Sequence, residues 1–128
     1  MTIVMAIASG AMVGALLRHY VITFCVSLMG SQFAWGTFIV NIAGSFMLGM
    51  LVALFTLKGG ASPEIKAFLV VGVLGSFTTF SAFSLETILL FERGNFLLAG
   101  SYIIGSVFFA VGGLALGMSV MKILMKFI

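Results

Sequence analysis

The chain has 128 residues, of which 62% are apolar and only 7% charged, against about 25% charged in a soluble domain. So little charge cannot cover a water-facing surface, which excludes a soluble globule and predicts an all-α integral membrane protein. The formal charge of +3 rests on six basic residues, mostly at the ends of apolar segments, and points to topology and lipid headgroup contact with no nucleic-acid partner.

A single domain over 1–128 is predicted, with spans at about 4–29, 34–57, 64–92 and 95–123. Each is near or above the roughly 20 apolar residues needed to cross a hydrocarbon core. The first segment has no basic stretch before it and exceeds signal-peptide length, so it reads as a retained span. The lone Cys25 offers no disulfide framework. Gly10 and Gly14 stand at the spacing that lets two membrane helices approach closely. Arg18, deeper in the same span, can snorkel, cap neighbouring carbonyls, or place a positive charge near an anion path. The short link at Gly30-Ser31-Gln32 makes the first two spans antiparallel neighbours.

In the second span Thr37, Asn41 and Ser45 recur every fourth residue, with Gly49 continuing the row. They form one polar stripe on an otherwise apolar helix. Asn41 is the costliest member, because its amide needs both donors and acceptors. Interhelical hydrogen-bonding and the lining of a polar pathway both account for the stripe.

Ser62-Pro63-Glu64 reads as an N-cap, a first-turn proline and an acidic first turn. The third span contains Gly75-Ser76-Phe77-Thr78-Thr79-Phe80-Ser81-Ala82-Phe83-Ser84, a run with five hydroxyls. Ile65 to Leu74 gives about 15 Å of helix and Thr79 to Glu92 about 21 Å, so neither crosses alone. Two readings stay open here. The helix can break near its middle, over Gly75 to Thr78, exposing carbonyls able to hold a cation. It can also run unbroken, with hydroxyls bonding back to their own backbone. Phe80 and Phe83 share a face that Glu86 continues. Ring edges carry partial positive charge, so this face can pack ordinarily or meet an anion. Glu86 is either an intramembrane ionisable group or a side chain that snorkels to the surface.

The fourth span carries Tyr102 and Ser106 four apart, with Ala110 ending the polar row, and Gly113 and Gly117 at close-packing spacing. Lys58, Lys66, Lys122 and Lys126 fall on the side of the termini, a bias that favours termini inside. No carboxylate pair, metal-thiolate motif, Walker loop or Ser-His-Asp set is present, so an enzyme is not expected.

The run Gly75 to Ser84, of the form Gly-x-x-Thr-Thr-Phe-Ser-x-Phe-Ser, resembles the small bacterial fluoride channels of the CrcB or Fluc family. Gly36-Thr37-x-x-Val40-Asn41, Leu17-Arg18 and Glu92-Arg93-Gly94 are similar to that family's other motifs. The resemblance covers the whole chain. It implies a passive channel that exports toxic fluoride across a bacterial inner membrane. It further implies an antiparallel, dual-topology homodimer with two pores lined by both subunits. Phe80 and Phe83 would form a phenylalanine box, with Asn41 beside it and Thr37, Ser81, Ser84, Tyr102 and Ser106 as further polar lining. Arg18 and Glu86 would stand in vestibules. The carbonyls of Gly75 and Thr78 would hold a structural sodium ion on the two-fold axis. Ala110 departs from the hydroxyl found at that place in some relatives, and Ala82 from a frequent threonine. A proton-coupled exporter of organic cations has the same size and layout, but it needs a carboxylate in the first span, which is absent. A non-conducting scaffold would explain the glycine pairs and leave the polar stripe unexplained.

Overall fold

A computed structural model describes residues 2–127. It is all-helical, with four helices long and apolar enough to cross a membrane. Together with the composition this makes the chain a multi-pass membrane protein. Helix α1 (Ile3–Met29) ends at Gly30, whose φ of 75° turns the chain while its N–H still bonds Val26 O at 2.9 Å. Helix α2 (Trp35–Leu57) is followed by Gly59 and Gly60, both at positive φ. The third span runs over Pro63–Glu92 in pieces. It comprises α3 (Pro63–Lys66), a π-helical segment (Ala67–Leu74), α4 (Gly75–Phe77) and α5 (Phe80–Glu92). Helix α6 (Phe96–Leu124) completes the bundle. Ser62 caps α3 as its sequence suggests, its Oγ accepting from the Ile65 N–H at 3.3 Å.

The helices pack as two parallel pairs, α1 with the third span and α2 with α6. Lipid tails are as apolar as leucine side chains, so burial alone does not draw such helices together. Close backbone approach does, and glycines permit it. A Cβ on Gly14 would overlap the Val73 carbonyl, and one on Gly10 would lie 3.0 Å from Gly72 Cα. Between α2 and α6, Gly49 lies on the Leu114 carbonyl and Gly117 on that of Phe46. Large apolar side chains such as Val4, Met12, Phe24, Leu97 and Ile104 face outward, as expected where the solvent is hydrocarbon. We expect Gly14→Val to destabilise the chain by about 1–3 kcal/mol through overpacking. Gly112→Ala, at a position with open space around it, should be neutral; thermal unfolding in detergent compares the two.

The structure corrects two details of the third span. Gly75 is not the point of rupture: it stays helical at φ −62°, ψ −32°. The backbone becomes extended at Thr78 (φ −82°, ψ 160°) and Thr79 (φ −154°, ψ 123°). A glycine permits a break, but the break falls where another group takes the N–H that the helix would have used. The second correction is the Ala67–Leu74 segment, which is π-helical rather than α-helical. Within this segment Gly72 packs against Gly10 of α1.

Candidate functional site

The break in the third span needs partners, because a helix that stops within a membrane leaves backbone donors and acceptors with no water to satisfy them. Asn41, on α2, meets most of that need. Its Oδ1 accepts from the Thr79 N–H at 2.8 Å and its Nδ2 donates to the Thr79 carbonyl at 2.9 Å. One side-chain amide thus pairs with Thr79 as a neighbouring strand would, keeping one Nδ2 hydrogen uncommitted. Thr79 Oγ1 then caps α5 by accepting from the Ala82 N–H at 3.2 Å. Arg18 Nη1 donates to the Thr78 carbonyl at 3.3 Å. Gly44 lets the break lie on α2, since a Cβ there would overlap the Thr78 methyl.

Thr79 is the residue that sequence reasoning missed. Its signal was the hydroxyl one place before the second helical run, the usual N-cap position.

Above the break, α5 presents Phe80 and Phe83 with ring centroids 5.4 Å apart and planes at 43°. Phe83 leans on Tyr102 of α6 at 5.2 Å. Phe80 is 78% exposed, so one face of this pair is open to whatever covers the chain. One turn on, Glu86 joins three helices. Its Oε1 accepts from Thr37 Oγ1 at 2.7 Å and its Oε2 from Tyr102 Oη at 2.6 Å. Thr37 and Tyr102 are fully buried. Glu86 is therefore a fixed acceptor rather than a snorkelling side chain, and both hydroxyls are engaged by it.

A groove of about 400 Å³ runs along this surface, with Asn41, Phe80, Phe83 and Ser106 in its wall. The Ser106 hydroxyl is buried and has no partner among the described residues. Burying a hydroxyl without a partner costs about 1–3 kcal/mol, so Ser106 is an unsatisfied polar group in the groove wall. Gly75 and Thr78 border the same groove.

The other expected site residues lie apart. Arg18 and Ser81 border a separate pocket on the far side of the break, with Thr79 and Ala82. Ser84 donates back to the Phe80 carbonyl at 2.9 Å and does not line the groove.

The family model described as CrcB-like protein, Camphor Resistance (CrcB), matches residues 5–118. A protein of Rhizobium johnstonii named fluoride-specific ion channel FluC is 45% identical over 118 residues, covering 92% of this chain and 94% of its own. One of the same name from Rhodopseudomonas palustris is 42% identical over 113 residues, 88% of this chain and 91% of that one. Fluoride-specific ion channel FluC 2 of Nitrobacter hamburgensis is 44% identical with the same coverage, 88% and 91%.

Proposed function

The chain belongs to the CrcB-like protein family, whose members among its relatives are named as ion channels rather than enzymes, and from this premise we propose that it is a passive, fluoride-selective channel. The observation that carries the reading is the groove where the partnerless Ser106 hydroxyl, the Asn41 amide and the Phe80 and Phe83 rings converge. Fluoride is small and strongly hydrated, so a selective path must replace its water with donors of similar strength. Asn41 and Ser106 supply hydrogen bonds, and the ring edges supply a surface of partial positive charge. Arg18 adds a full positive charge on the other side of the break, where it raises the local anion concentration in a vestibule. Glu86 holds the Thr37 and Tyr102 hydroxyls in place at the level beyond Phe83. Ser81, at the Arg18 pocket, belongs to this vestibule.

Two subunits in antiparallel orientation would close the groove, each covering the open face of the other's Phe80 and forming two pores. The exposure of Phe80 and of the large apolar side chains around it supports this arrangement. The chemistry at the break also suits a structural sodium ion. The Thr79 N–H that a continuous helix would aim at the Gly75 carbonyl goes to Asn41 instead. The Thr78 carbonyl accepts from Arg18 in the single chain, so a sodium ion at this oxygen would displace the guanidinium. Among the described residues no group of three or more His, Cys, Asp or Glu gathers, so a resident cation would be held by backbone oxygens, which suit hard ions. The Gly75 and Thr78 carbonyls would hold it, and its charge would fix the two subunits at the break. The setting is a bacterial inner membrane, with fluoride leaving down its gradient.

Purified protein in liposomes with a fluoride gradient and a potassium shunt tests the reading. Voltage-driven fluoride efflux without matching chloride efflux is expected. No efflux, or equal loss of both anions, overturns it.

A further inference from the structure

We propose that Ser45 is a further fluoride-binding group, the hydroxyl that receives the ion on the lysine-rich side of the break after Ser106. The proposal rests on the channel reading above. Of the polar side chains bordering the groove, most are committed. Asn41 holds Thr79, Thr78 Oγ1 donates to the Leu74 carbonyl at 3.0 Å, and Thr79 Oγ1 caps α5. Ser106 is free. Ser45 also borders the groove, is half-buried, and its hydroxyl takes part in none of the side-chain hydrogen bonds among the described residues. A serine inside a helix commonly bonds back to the carbonyl four residues earlier, as Ser9, Ser84 and Ser119 do here at 2.8, 2.9 and 2.9 Å. Ser45 does not make that bond.

The parallel course of α2 and α6 fixes where Ser45 stands. Gly113 packs on the turn from Ile42 to Phe46, so Ser45 is about level with Gly113, some two turns or roughly 10 Å beyond Ser106. Phe80, Phe83, Val107, Ala110 and Val111 also wall the groove. Ala110, one turn past Ser106 on α6, donates nothing. An ion that leaves Ser106 and slides along the ring edges therefore finds its next free hydroxyl on the opposite wall, at Ser45. Gly44, the residue before it, lies against the Thr78 methyl, which keeps this hydroxyl beside the break.

Fluoride efflux from liposomes tests the assignment with four proteins: wild type, Ser45→Ala, Ser45→Cys and the double variant Ser45→Ala/Ala110→Ser. Removing one hydrogen bond to an anion is expected to slow efflux about 10-fold in Ser45→Ala. Ser45→Cys is nearly isosteric and a weak donor, so it separates loss of donation from loss of packing and should slow efflux similarly. Placing the hydroxyl on the facing wall in the double variant should restore much of the lost rate, which a purely structural role for Ser45 would not allow. Wild-type efflux in either single variant, or a loss that Ala110→Ser does not repair, overturns the proposal while leaving the channel reading intact. A wild-type protein that passes no fluoride removes both.

Discussion

Asn41→Ala is expected to be the most damaging single substitution in the chain. It leaves the Thr79 N–H and carbonyl without partners inside the membrane, two groups at about 1–3 kcal/mol each. Unfolding in detergent should show a loss of roughly 2–6 kcal/mol by the same reckoning, with efflux abolished. Asn41→Asp separates the two roles of the residue. A carboxylate can still accept from the Thr79 N–H, but it cannot donate to the carbonyl and it sets a negative charge in the path of an anion. The lost donor to the carbonyl should still destabilise the chain by about 1–3 kcal/mol or more, while fluoride efflux falls by at least ~100-fold, about 2.7 kcal/mol of barrier. An Asn41→Ala protein as stable as wild type would show that the amide does not hold the break.

Phe80→Ile should do the opposite: little change in stability and a large change in flux. The ring is 78% exposed in the single chain, so its replacement removes few buried contacts there. Isoleucine keeps bulk and apolarity but has no ring edge of partial positive charge. Edge interactions of this kind are worth about 0.5–1.5 kcal/mol in proteins, and the stronger field of a bare anion raises that figure, so efflux should fall at least ~10-fold. Gel filtration confirms that the folded particle is unchanged. A folded Phe80→Ile protein that conducts normally removes the ring from the pathway.

The sequence carried some features of this molecule and was silent on others, for physical reasons. Hydropathy marks four stretches whose ends fall within about a residue of the four long apolar helices, as a hydrocarbon core of one thickness would require of each. The Ser62 cap and the glycine contacts were legible because each follows from local chemistry. The break was only half legible. Hydroxyls and Gly75 marked the neighbourhood, but Thr79 is the pivot because of Asn41, 38 positions away. No local pattern encodes that partner. The π-helical segment was invisible, since Ala67–Leu74 is uniformly apolar and has no period to read. The clamp on Glu86 joins side chains from three helices, two of them 49 and 16 residues away. Spacing along one helix suggested a role for Thr37, Glu86 and Tyr102 separately, but not that they bind one another.

The pairing of helices has a consequence for how the molecule assembles. Glycine-to-backbone contacts knit α1 to the third span and α2 to α6. Every side-chain hydrogen bond between the two pairs, among the described residues, involves Asn41 with Thr79, or Glu86 with Thr37 or Tyr102. The polar part of the seam between the pairs therefore coincides with residues of the proposed site. Until the pairs dock, Asn41, Glu86 and the open backbone at Thr79 face lipid, a state too costly to persist. Docking then satisfies these polar groups together, so the two pairs are coupled through the same few side chains.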